Sequence, residues 1–112
     1  MKLWFKPGTV VRFLDPAVLP GLIQLAIFIQ EETGVDEVVV TSVNDGKHKS
    51  GSLHYEGRAM DIRCRFFTDP QVQAIVDRFK ALYDRDYDLL WENRDTPTEH
   101  LHLEYDPGNQ NR

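Results

Sequence analysis

Three side chains in two short stretches could together hold a divalent cation. GSLHYEGRAMD, residues 51–61, places His54 seven positions before Asp61 across Gly57, and HLHLEY, residues 100–105, carries His100 and His102. Two imidazoles and a carboxylate suit a catalytic zinc site, which keeps three protein ligands and an open position for water. Zinc lowers the pKa of that water to ~7, and a neighbouring carboxylate or imidazole can then act as general base. Glu99 and His100 stand beside His102 and are the candidates for that role. Singly, each residue has a plainer reading: His54 as a hydrogen-bonded turn histidine, Asp61 as a partner of Arg63 or Arg65, His102 as a solvated strand residue. The combination favours a metal.

The elements that must position these groups are readable from local pattern. Asp15-Pro16 starts a helix, with Asp15 as N-cap and Pro16 at the first helical position. It runs to about Thr33 and stops at Gly34, while Pro20-Gly21 weakens its first turn. The β-branched run Glu37–Val43 predicts a buried strand. Asn44–Ser52 is a loop, and Arg58–Phe66 alternates as a second strand. Asp69-Pro70 opens a second helix with Val72, Ile75, Val76, Phe79 and Leu82 on one face. Tyr87–Asn93 predicts a third strand, Asn93–Glu99 a loop, and His100–Tyr105 a fourth strand. Two helices against a mostly antiparallel sheet of about four strands is an α+β fold.

Strand alternation then sorts the faces. Leu101, Leu103 and Tyr105 turn to the core, and His100, His102 and Glu104 turn away. Met60, Ile62 and Cys64 pack inward, leaving Asp61, Arg63 and Arg65 outward, so two polar strand faces line one site. Gly57 permits the bend that brings His54 back towards Asp61. Cys64 reads as a small core hydrophobe and not as a ligand. Trp91 either walls the cleft or fills the core, and the charged run RDYDLLWENRD reads as a solvated edge.

Composition sets limits. The chain has 112 residues and a net charge of −5, which suits one domain over 1–112, expected as a monomer with no second domain. No basic patch points to nucleic acid. One cysteine excludes an internal disulfide. MKLWFKPGTVVRFL is interrupted by Lys6, Pro7, Gly8 and Arg12 and does not read as a signal peptide. AVLPGLIQLAIFI is too short for membrane insertion and predicts a buried helix.

SLHYEGRAMD fits S-x-H-x-x-G-x-A-x-D through Ser52, His54, Gly57, Ala59 and Asp61, and EHLH fits E-x-x-H through Glu99 and His102. Together they resemble the zinc D-Ala-D-Ala peptidases. That family holds D-alanyl-D-alanine carboxypeptidases and dipeptidases, and phage endolysins that cut L-alanyl-D-glutamate bonds. It shares a superfamily with lysostaphin-type peptidases and the hedgehog amino-terminal domain. The resemblance implies a hedgehog/D-Ala-D-Ala-peptidase-like fold, Zn2+ on His54, Asp61 and His102, and Glu99 as the base that later helps protonate the leaving amine. It also implies Ser52 orienting a ligand or contacting a peptidoglycan stem peptide, at a D-Ala-D-Ala or L-Ala-D-Glu bond; Trp91, if it walls the cleft, would meet the same substrate.

Family members often carry an arginine before the first ligand to polarise the scissile carbonyl. TSVNDGKHKSG has none, so Lys47, His48 or Lys49 is left to do this, with His48 preferred. The lysostaphin branch uses H-x-H, which gives His100 a place near the reacting centre. Without a leader, a phage or prophage endolysin that reaches the wall after release, or a virion-associated protein, is expected. The rival expectation is a non-catalytic zinc-binding module of the same fold.

Overall fold

Alternating and β-branched segments build a five-stranded sheet in the order β1-β2-β3-β5-β4. The strands are β1 (Lys2–Phe5), β2 (Glu37–Ser42), β3 (Ala59–Arg63), β4 (Tyr87–Glu92) and β5 (His100–Tyr105). Two helices, α1 (Leu19–Thr33) and α2 (Asp69–Tyr83), complete a mixed α+β fold. This computed structural model describes residues 1–44, 53–83 and 85–107. No helix among the described residues is long and apolar enough to cross a membrane.

The strand beyond the expected four is β1, which runs parallel to β2 with Trp4 opposite Val39 and Phe5 opposite Val40. All four of its residues are exposed. Its place depends on backbone pairing with a strand more than thirty residues away, which no local pattern in MKLWF announces. The other pairings are antiparallel.

The first helix begins differently from its sequence signal. Asp15 caps as expected, its Oδ1 accepting the Ala17 N–H at 3.0 Å, but the turn it caps is a 3-10 turn at Pro16–Val18. The α-helix proper starts at Leu19, with Pro20 in its first turn, where a missing N–H costs no helical bond. Gly34 ends it in the left-handed conformation at φ 74°.

α1 packs on α2. Leu22, Leu25 and Ile29 of α1 and Val72, Ile75 and Phe79 of α2 share one buried cluster with Val38, Val40, Met60, Ile62, Leu89, Leu101 and Leu103 of the sheet. The opposite sheet face, turned away from α1 and α2, carries Asp61, His100 and His102. Cys64 is wholly buried in the core. Burial and the charge of Glu99 push its thiol pKa up to about 12.

Gly21 lies against Tyr87, whose hydroxyl donates to the Ala17 carbonyl at 2.6 Å. A Cβ at position 21 would come 2.5 Å from Tyr87 Cε1. Gly21→Ala should gain about 1 kcal/mol of helix propensity and lose about 1–3 kcal/mol to overpacking. The ring cannot retreat without giving up its hydrogen bond, so net destabilisation is expected in urea unfolding followed by tryptophan fluorescence. A more stable variant would refute this packing.

Candidate metal centre

Strand register puts the polar groups together. Asp61 stands opposite His102 and Arg63 opposite His100 across β3–β5. Glu92 stands opposite His100 across β4–β5. Residues directly opposite in an antiparallel pair share a face, so Asp61, Glu92, His100 and His102 meet on the face turned from the helices. Ligand atoms of these four lie within 4.8 Å of one another.

His54 reaches the group from the 3-10 turn Leu53–Glu56. Gly57 closes that turn at φ 69°, and a Cβ there would meet the Phe13 carbonyl oxygen and Leu14 Cα at 3.0 Å. Both the backbone conformation and the close approach therefore require glycine. The Gly57 carbonyl accepts the Asp15 N–H at 3.0 Å, and Arg58 Nε bonds Asp15 Oδ2 at 3.1 Å. Asn44 Nδ2 donates to the His54 carbonyl at 2.9 Å, while its Oδ1 takes the N–H groups of Arg12 and Phe13. The turn is thereby tied to the segment ahead of α1.

Three donor atoms converge. His54 Nε2 is 3.2 Å from Asp61 Oδ1 and 3.3 Å from His102 Nδ1. His102 Nδ1 is 3.0 Å from Asp61 Oδ1. A tetrahedral zinc with bonds of about 2.0–2.2 Å spaces its ligands about 3.3–3.6 Å apart, so the triangle is a few tenths of an ångström tighter than a zinc would hold it. The outer partners fix what the inner atoms present. His54 Nδ1 donates to the Val43 carbonyl at 2.8 Å, and His102 Nε2 donates to Glu104 Oε1 at 2.7 Å. Each ring therefore turns its other nitrogen inward, beside a carboxylate oxygen. Three electron-pair donors facing one another repel unless a proton or a cation lies between them. All three residues are at least nine-tenths buried, with His54 at 1% exposure, so bulk water is a poor substitute. This donor set fits zinc.

The charges agree. Burial raises the Asp61 pKa, but the close His102 and His54 rings and the positive charge available at His54 and His100 outweigh it and hold the carboxyl well below the usual range. Burial lowers the His102 pKa, but hydrogen bonds to Asp61 and Glu104, with the charges of Asp61 and Glu92, raise it to about 9. The raised His102 pKa favours a proton at the metal-free centre at neutral pH.

The remaining expected residues divide. His100 Nδ1 donates to the Thr98 carbonyl at 2.7 Å, and its Nε2 lies 2.9 Å from Glu92 Oε1 and 3.5 Å from Asp61 Oδ1. Glu99 precedes β5 and lines a cavity of about 350 Å³ beside Asp61 and His100. Its Oε2 accepts the Trp91 indole N–H at 2.7 Å. Trp91 packs against the core and under the Arg94 guanidinium, 3.7 Å from its ring centroid, and meets the cavity through Glu99. His48 and Ser52 lie outside the described residues.

Glu92 is the group missed in the sequence. It sits within the run assigned to a solvated edge, yet its carboxylate reaches His100 and stands 3.9 Å from His102 Nδ1. Only its alternation with Leu90 and Asp88 on a strand signalled a shared face. Which neighbour it meets depends on the β4–β5 register.

Zinc uptake must displace the His102 proton. Affinity should therefore keep rising with pH from about 6.5 to about 9, measured by competition against a chromophoric chelator. A plateau from about pH 7 would contradict this proton arrangement.

A family model for the hedgehog amino-terminal signalling domain matches residues 11–82, and no curated protein matches the chain. The matched segment takes in α1, the turn with His54, β3 with Asp61, and nearly all of α2. His102 joins from outside it through the pairing of β3 with β5. The superfamily containing that domain includes zinc peptidases. With more than half of its length so matched, the chain belongs to the hedgehog amino-terminal signalling domain family.

Proposed function

We propose that this protein is a zinc peptidase of peptidoglycan stem peptides, cutting a D-Ala-D-Ala or L-Ala-D-Glu bond. The observation that carries the reading is the buried triangle of His54 Nε2, Asp61 Oδ1 and His102 Nδ1, with sides of 3.0–3.3 Å. When bound there, zinc would supply Lewis acidity to a carbonyl and acidity to a water.

The chain's own groups have separable roles in this reading. His54 and His102 are held by Val43 and Glu104, so little reorganisation accompanies binding. Glu99 takes a proton from the attacking water and passes it to the leaving amine. Its Oε2 is anchored by Trp91, which leaves Oε1 to accept. His100, oriented by Thr98 and Glu92, stands on the side where negative charge develops on the carbonyl oxygen. His48 and Ser52 keep their expected parts, the carbonyl-polarising cation and a substrate contact. The proposal includes a single monomeric domain that acts on the wall after release, in a phage, prophage or virion setting.

A non-catalytic zinc module is the second reading. It is favoured by the match to a signalling domain, and by the engagement of both base candidates, Glu99 with Trp91 and His100 with Glu92.

Purified protein incubated with peptidoglycan, with and without chelator, should release stem-peptide fragments by mass spectrometry only when metal is present. Bound zinc without cleavage would establish the module instead.

Glu99→Gln should lower turnover about 10²–10⁴-fold, the usual contribution of a general base, and leave zinc stoichiometry unchanged. Full activity would remove Glu99 as base and move that role to His100 and Glu92. Asp61→Ala, by contrast, should lose the metal itself, as read by elemental analysis.

A further inference from the structure

The cavity beside Asp61 gathers positive charge in a chain whose net charge is −5. Lys6, Arg63 and Arg65 all line it, together with Asp61, Glu99 and His100. Its two carboxylates are already engaged: Asp61 Oδ1 by His54 and His102, and Glu99 Oε2 by the Trp91 indole. The cations are not. Arg58, Arg78 and Arg94 each form an ion pair with a carboxylate, whereas among the described residues Lys6, Arg63 and Arg65 have none within 4.0 Å. Among the described residues Arg65 bonds the Pro97 carbonyl, at 3.3 Å, and lies over Phe66, 4.7 Å from its ring centroid.

Sheet geometry places this charge at a useful distance. Arg63 is two residues beyond Asp61 on the same face and directly opposite His100. Two residues of strand span about 6.6 Å, within reach of an arginine side chain. Lys6 enters from the other side, its backbone N–H donating to the Val40 carbonyl at 2.8 Å. An arginine fork matches a carboxylate, and such charge-assisted bonds are the stronger ones.

We propose that Lys6, Arg63 and Arg65 form a carboxylate-binding subsite, which takes an anionic group of a peptide whose neighbouring amide lies over His54, Asp61 and His102. This rests on the peptidase reading and deepens it: the preferred substrates are peptides with a free carboxylate next to the scissile bond. In a stem peptide that group is either the C-terminal carboxylate or the α-carboxylate of D-Glu.

The test is calorimetric titration of the metal-free full chain, so that neither hydrolysis nor zinc–carboxylate ligation contributes. The probes are the pentapeptide L-Ala-γ-D-Glu-L-Lys-D-Ala-D-Ala, its C-terminal amide, and its D-Glu α-amide. One of the two amides should bind tenfold or more weakly than the free acid, and which one identifies the source of the carboxylate. Added salt should reduce the difference. Arg63→Gln should bind acid and amide alike while holding zinc at the normal stoichiometry. Lys6→Gln and Arg65→Gln provide the same comparison if Arg63→Gln does not fold. Equal binding of acid and amides by the unaltered protein, unchanged discrimination in the variants, or no binding of any probe at millimolar concentration would overturn the inference. Failure to cleave peptidoglycan, with the acid-to-amide ratio intact, would sink the peptidase reading and leave the carboxylate subsite. Cleavage without the ratio would do the reverse.

Discussion

The site depends on three electron-pair donors held face to face in a buried position. His54 Nε2, Asp61 Oδ1 and His102 Nδ1 cannot rest within 3.3 Å of one another without a positive charge among them. The fold supplies the constraint from outside: the Val43 carbonyl and the Glu104 carboxylate occupy the far nitrogens and leave the rings one way to point. In the metal-free protein the carboxylates of Asp61 and Glu104 favour a proton on His102 against the cost of its burial, and that proton relieves the repulsion.

The sheet makes this arrangement possible by having two unlike faces. Antiparallel sheets tolerate one apolar and one polar face. Here the packed face is continuous with both helices through Val40, Ile62, Leu101 and Leu103. That apolar layer fixes the positions of β3 and β5, so the alternate residues Asp61 and His102 inherit their alignment from the core. A slip of one residue in β5 would send the histidines into the core and the leucines into the site. Stability and site geometry thus share a single register.

His54 is the exception, since it belongs to no strand. Its placement comes from a chain of local devices: the left-handed Gly57, the Asn44 side chain bridging two segments, and the links from Asp15 to Gly57 and Arg58. Asp15 acts twice, capping the turn ahead of α1 and holding the loop that carries a metal-ligand candidate. Helix start and site are mechanically joined.

Sequence alone determined whatever has a local period or a local steric cause. Alternation in HLHLEY sorted histidines from leucines, Gly34 marked the end of α1, and His54, Gly57 and Asp61 carried their spacing openly. From those came the α+β class and the expectation of a metal on His54, Asp61 and His102, three residues whose side chains meet in the structure. Tertiary structure decided what depends on pairing between distant segments. β1 became a strand because β2 offered it an edge. Glu92 entered the site because β4 lies beside β5 in one register. Trp91 turned to the core and anchors Glu99. Hydrogen bonds between strands carry no residue code of their own, so the partner of an exposed or charged side chain follows from which edges meet, and that is settled only when the whole core closes.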